Sequence, residues 1–208
     1  MKKLWSYGGV AASLVLIAFG ITTIVVAASG RSEVRGDIQR EAIVGSPDMT
    51  PKAIAAEAKQ AGLPASVSLP SCSVANQAID TGARARCFAQ YMRVHALEAT
   101  GGLTYAQMPR YATADGKGTN DPAQATKGEN GQPLDNPARS VWISETALST
   151  ALNTAYAGEQ LALFAIVVGI ALLLSGIGFV IIAAAGVLRR SEESATVPVA
   201  APPTPVTA

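Results

Sequence analysis

The sequence predicts an all-α protein with two transmembrane helices and a mainly helical, disulfide-tied exoplasmic domain that carries a long loop. Three observations predict it. Leu161–Leu188 runs 28 residues without a charge, and about 20 apolar residues already cross a hydrocarbon core roughly 30 Å thick. A second apolar stretch, Gly8–Ser29, lies near the other end. Between them the chain is polar, with capping and helix-periodic signals and two cysteines. The expected segments are residues 1–7 as a cytoplasmic N-terminus, 8–29 and 161–188 as spans, 30–160 as the exoplasmic domain and 189–208 as an unfolded, Pro-rich cytoplasmic tail.

Orientation follows from the flanks. Lys2 and Lys3 precede the first span, Trp5 and Tyr7 sit at the expected headgroup level, and Arg189 and Arg190 follow the second span. Lys/Arg-rich short flanks stay inside, which puts both termini in the cytoplasm. Arg31, Arg35 and Arg40 conflict with this, because they are also positive and lie just past the first span. A cleavable signal peptide competes with an uncleaved anchor, since Val26-Ala27-Ala28-Ser29 offers small residues near a cleavage point. The apolar run from Val10 to Ala28 is longer than the 7–15 residues of a typical signal-peptide core, which favours the anchor.

In the spans, Gly9/Ser13, Ala18/Thr22, Ala165/Gly169 and Ala171/Ser175, with Gly176 and Gly178, are small residues where helices could approach closely. No ionisable residue lies between Glu159 and Arg189, nor within the first span, so the usual mark of an ion path or proton relay is missing. From Arg31 to Glu159 there are 12 Lys/Arg against 13 Asp/Glu, which gives no concentrated positive footprint for nucleic acid. The expected partners are membrane lipid and another membrane protein, or a second copy through the small-residue faces.

The polar region opens with Ser32–Ile43, whose Val34, Ile38 and Ala42 share one helical face and extend the first span outward, with Gly36 as a weak point. Thr50-Pro51 reads as an N-cap followed by proline at the first helical position, with Ile54, Ala55 and Ala58 apolar and Gly62 as the stop. Val67–Leu69 suggests a short extended piece.

Cys72 and Cys87, 15 apart with no third thiol, read as one disulfide in an exoplasmic compartment. Two buried thiols or half a metal site are the alternatives. A metal site lacks ligands in helpful spacing, since there is one histidine and no CxxC.

The next helix, Ala83–Ala99, places Cys87, Tyr91, Val94 and Phe88 on a buried stripe and Arg86, Gln90 and Arg93 on a wet face, with Gly101-Gly102 stopping it. His95 lies beside the stripe with Glu98 at i+3; it reads either as a proton-handling site or as a rim residue bonding its neighbour.

From Leu103 to Arg139 periodicity disappears, and residues 112–136 read as a surface loop. Its acidic residues do not follow EF-hand spacing, and its Gly-Lys pair lacks the rest of a phosphate loop. Tyr105 and Tyr111 at its start join Tyr91 and His95 as the candidate pocket or contact surface. Asn136-Pro137 restarts the helix, and a continuous rod is predicted from near Ser140 to Leu188. Leu148, Ala151, Leu152 and Ala155 form its apolar side; Glu145, Ser149, Asn153, Tyr156 and Gln160 line the other.

The segments GRSEVRGDIQREAIVGSPDMTPKAI, SCSVANQAIDTGARARCFAQYMRVHALEATGG and SETALSTALNTAYAGEQLALFAIVVGIALLLSGIGF resemble an uncharacterised actinobacterial family of membrane proteins. Members are often labelled aromatic ring-opening dioxygenase. A 2-His-1-carboxylate iron site needs two histidines, and His95 is the sole one. The resemblance therefore implies an actinobacterial plasma membrane and no catalytic residue. Nor does the chain contain a G-x-S-x-G elbow or an SxxK pattern with later partners. The expectation is a non-catalytic accessory or assembly subunit without a cofactor. The alternative is an exoplasmic ligand-sensing or substrate-binding module coupled to a membrane partner.

Overall fold

A computed structural model describes the backbone of residues 2–195 and the side chains of residues 8–186. The chain is all-α. Among the described residues there are four helices, α1 (Lys2–Arg40), α2 (Pro51–Gln60), α3 (Gly82–Ala99) and α4 (Pro137–Ala195), and no strands. Two of them, α1 and α4, are long and apolar enough to cross a membrane. The chain divides into two compact units, residues 29–163 and residues 1–28 with 164–208. Lys2, Lys3, Trp5, Tyr7, Arg189 and Arg190, on which the orientation rests, have side chains outside the described ones. Most of the expected tail, 196–208, is likewise outside them, while α4 runs on through Arg189 to Ala195.

In the apolar unit α1 and α4 pack backbone against backbone. A Cβ added at Gly169 would lie 2.7 Å from Ile24 Cγ1 and 2.9 Å from the Gly20 carbonyl oxygen. One added at Gly20 would meet Leu173 N at 2.7 Å, and one at Gly176 would meet Ile17 Cγ1 at 2.7 Å and the Ser13 carbonyl oxygen at 3.0 Å. Glycine is what permits this approach. Ser13 is fully buried, and its hydroxyl donates to the Gly9 carbonyl at 2.7 Å.

The seam is thus Ser13, Gly20 and Ala27 against Gly169 and Gly176, a seven-residue spacing on both helices. This corrects part of the sequence reading. Ala18, Thr22, Ala171 and Ser175 are exposed, and Gly9 and Gly178 have open space around them. A straight helix comes back to within about 20° of the same face after seven residues, closer than after four, so i,i+4 pairs alone do not choose the face.

The polar unit is built around α3. Thr81 caps it, its hydroxyl accepting from Arg84 N at 3.3 Å. At its end Gly102 N donates to the Leu97 carbonyl at 2.7 Å, and Gly101 and Gly102 both have φ in the left-handed region. Thr50 caps α2 with Pro51 behind it. Gly62 at φ +67° closes α2, and Leu63 N donates back to the Ala58 carbonyl at 2.9 Å. These local stops match the sequence reading because each is encoded within four or five residues.

The main core gathers Ile54 and Ala58 of α2, Ala85, Ala89, Tyr91 and Val94 of α3, and Leu152 of α4, with Ile38, Val74 and Ile79. A second cluster joins Leu97, Met108 and Trp142. Ala55 and Ala42 are exposed, contrary to their expected burial. α1 ends at Arg40, Ala42 adopts φ 49°, and the chain turns so that Ile43 packs on the core instead. Val67–Leu69 forms no strand; Val67 lies in a turn, its N donating to the Pro64 carbonyl, and packs on the second cluster.

The inner face of α4 within this unit also differs from expectation. Trp142, Glu145, Leu152 and Glu159 are buried, whereas Leu148 is 51% exposed and Ala151 is exposed. Polar groups can lie inside when each has a partner. The Ser149 hydroxyl donates to Glu145 Oε1 at 2.8 Å, and the Trp142 indole donates to the Leu103 carbonyl at 2.7 Å. Arg93 stacks over Trp142 and Arg86 over Tyr156, 5.2 Å and 4.7 Å from the ring centroids.

Candidate functional site

The Cys72–Cys87 disulfide is formed and ties the segment before α3 to the second turn of that helix. Tyr91, one turn further on, is fully buried, and its hydroxyl donates to the Cys72 carbonyl at 2.6 Å. Burial raises the Tyr91 pKa above its ordinary value. Tyr91 therefore serves the core beside the disulfide. Its hydroxyl is already committed.

The other candidates are spread out. Tyr105 is 43% exposed with Arg139 stacked at 4.0 Å, and Tyr111 lies under Arg110 at 5.1 Å. Tyr105, Arg110, Asp135, Asn136, Arg139 and Ser140 line a half-open recess of about 340 Å³. Tyr111 also pins the long loop: its N and C=O exchange hydrogen bonds with Thr119, both at 2.9 Å. Ala112 N donates to Leu134, Leu134 N to Thr126 and Thr126 N to Ala112, so the loop is cross-laced by its own backbone. Nothing in its composition showed this, because backbone hydrogen bonds do not depend on side-chain identity.

His95 faces α2. Its Nε2 lies 3.5 Å from Glu57 Oε2, so its partner is Glu57 across the helix pair and not the expected Glu98. Asp48, Glu57 and His95 have ligand-type atoms all within 4.8 Å of one another. Glu98 Oε1 is shut off from solvent with no hydrogen-bond partner. Burial raises the Glu98 pKa, and Glu57 and Asp48 push the same way against an opposing pull from His95. The Ser46 hydroxyl holds the Asp48 carboxyl below its ordinary value. This grouping draws on three separate segments, so spacing along the chain could not reveal it. His95 also lines, with Met92, Ala96, Val141, Ser144 and Leu148, an open, mostly apolar groove of about 550 Å³.

Sequence reasoning missed the strongest polar constellation. Glu159 is 5% exposed. Its Oε1 accepts from Arg31 Nε at 3.0 Å and Arg35 Nε at 2.7 Å, and its Oε2 accepts from Gly82 N at 2.6 Å. One carboxylate thus links α1, the N-terminus of α3 and α4. Burial opposes its ionisation, but the Gly82 N–H and the guanidiniums of Arg35 and Arg31 outweigh burial, and the pKa is lowered. Gly82 itself has no room for a side chain, since a Cβ there would lie 2.8 Å from Tyr156 Cα and 2.9 Å from Glu159 Oε2. The available signal was Arg31 and Arg35, four apart on one helix face, with a lone glutamate just before the second apolar stretch.

No protein-family model, curated protein or solved structure matches the chain.

Proposed function

We propose that the chain is a non-catalytic, membrane-anchored accessory or assembly subunit of an actinobacterial plasma membrane, with both termini cytoplasmic and residues 30–160 exoplasmic. The observation that carries the reading is the apolar strip left open on α4 within the polar unit. Val141 and Leu148 are exposed there and line the groove beside Met92 and Ala96. Exposed apolar surface rimmed by polar groups is the usual mark of an interaction site.

Two further observations support the orientation. A disulfide suits an oxidising compartment. Arg31 and Arg35, the charges that opposed this topology, hold Glu159 and so have a structural reason for their position.

Purification in mild detergent tests the reading. A stoichiometric membrane partner or a homo-oligomer is expected, and Leu148→Glu should release it. A chain that emerges alone as a monodisperse monomer overturns the proposal.

A second reading, an exoplasmic ligand-sensing module, draws on the recess lined by Tyr105, Arg110 and Arg139. Two guanidiniums there suit a small carboxylate or phosphate. Thermal-shift screening against such anions, with Arg139→Gln as control, separates it from the first.

A further inference from the structure

We propose that Asp48, Glu57 and His95 form a binding site for a zinc-type divalent cation, with Glu98 as an adjoining oxygen donor. The three residues come from the segment before α2, from α2 and from α3, and their ligand-type atoms all lie within 4.8 Å of one another. Donors on a tetrahedral ion at about 2.0–2.2 Å stand roughly 3.3–3.5 Å apart. The His95 Nε2–Glu57 Oε2 separation of 3.5 Å already has that value. It is long for a hydrogen bond and suits two ligands of one ion.

A second observation points the same way. Glu98 lies at i+3 from His95 on α3, which puts the two on one helix face. Its Oε1 is closed to solvent and has no hydrogen-bond partner. A buried oxygen without a donor costs free energy, and a cation beside it removes that cost. The side chains of His95 and Glu57 are about a third exposed, which leaves an entry path.

The donor set selects the metal class. One imidazole nitrogen with carboxylate oxygens suits zinc and its first-row neighbours, whereas calcium and magnesium prefer oxygen alone. Bound there, the ion cross-links the segment before α2, α2 and α3. It acts on the same core that the Cys72–Cys87 disulfide fastens from the other end of α3. The inference does not depend on the accessory-subunit reading, whose test is co-purification.

His95 is the sole histidine of the chain, which makes the experiment clean. The full chain, purified in detergent without a polyhistidine tag and stripped with chelator, is titrated calorimetrically with zinc, manganese and calcium chlorides. Zinc is expected to bind one per chain, to raise the melting temperature reversibly with chelator and to shift the single imidazole resonance. His95→Ala and Glu57→Gln should each weaken zinc binding by more than about tenfold. The His95→Ala variant is checked for an intact Cys72–Cys87 disulfide and wild-type helicity. The wild-type imidazole resonance decides the matter if that variant fails to fold. The proposal is overturned by absence of zinc binding, by an imidazole resonance that zinc leaves in place, or by His95→Ala binding zinc as the wild type does. Calcium binding as tight as zinc would also overturn it, since that is the behaviour of a plain acidic surface.

Discussion

Replacing Glu159 by glutamine removes one charge and almost no volume, and it should be among the most damaging conservative changes in the polar unit. In the native protein Oε1 receives both guanidiniums and Oε2 receives the Gly82 N–H. A glutamine has one carbonyl oxygen, so it serves either the arginines or Gly82. Its amide then points hydrogen atoms at the group left over. Hydrogen bonds to a charged group contribute about 1.5–3 kcal/mol each, and breaking a buried ion pair costs about 3–5 kcal/mol. The Arg31 and Arg35 side chains are 36% and 37% exposed, so water recovers part of the loss. A destabilisation of about 3 kcal/mol is expected, or roughly 10 °C in melting temperature for a unit of this size.

Denaturant unfolding of the full chain in detergent, followed by far-UV circular dichroism, measures it. The pH dependence checks the cause. Because the Glu159 pKa is lowered in the folded protein, its contribution is present above the ordinary glutamate value of 4.5 and is lost as pH falls through the lower folded value. Glu159→Gln should therefore flatten the acid limb of stability against pH. Replacing Arg31, Arg35 and Glu159 together by Met, Met and Leu should recover most of the loss, because no charge is then left unpaired. A glutamine variant within about 0.5 kcal/mol of the wild type, with an unchanged acid limb, would refute the clamp.

The other predictions concern packing and cross-links. Gly169→Val should separate α1 from α4 in the apolar unit, because its Cβ falls on Ile24 and the Gly20 backbone, while Gly178→Ala should be silent. Thermal unfolding of the two variants in detergent reads this, and equal melting temperatures would contradict the seam. Cys72→Ser with Cys87→Ser opens a 15-residue loop and should cost roughly 3 kcal/mol in denaturant unfolding. Thiol labelling of the unreduced wild type should fail. Trp142→Phe removes the indole donor from the Leu103 carbonyl, which keeps the Thr100 hydroxyl, and should cost about 0.5–1.5 kcal/mol. The same variant should remove a blue-shifted component from the tryptophan emission, since Trp142 is 3% exposed.

What could be read in the sequence was what is encoded locally. Thr50-Pro51 and Gly62 delimit α2 because cap and stop geometries involve only neighbouring residues. The two long apolar runs identify α1 and α4 because length and composition alone qualify a span. The inner face of α4 was misread for a definite reason. Hydrophobic periodicity counts Glu145 as outward and Leu148 as inward, yet Glu145 is buried and Leu148 is exposed. A helix that meets α3 through stacked arginines and a shared carboxylate carries its polar residues inside, and periodicity has no term for their partners.

The same limit explains His95. Along the chain its nearest carboxylate is Glu98, and i+3 proximity favours that pairing. Folding offers Glu57 instead, because α2 packs on α3 and brings a carboxylate to the exposed edge of the imidazole. Glu98 is then left with a closed oxygen and no donor. If Glu98 were simply the partner of His95, that oxygen would be satisfied and Glu98→Gln would cost a charged hydrogen bond. With Glu57 as the partner, Glu98→Gln removes an unfavourable buried carboxylate. In the absence of metal it should leave stability unchanged or raise it by up to about 1 kcal/mol. Under saturating zinc the sign should reverse, because the glutamine is a poorer donor to the ion. The two melting curves of one variant, with and without zinc, thus distinguish a mispaired acid from a waiting ligand.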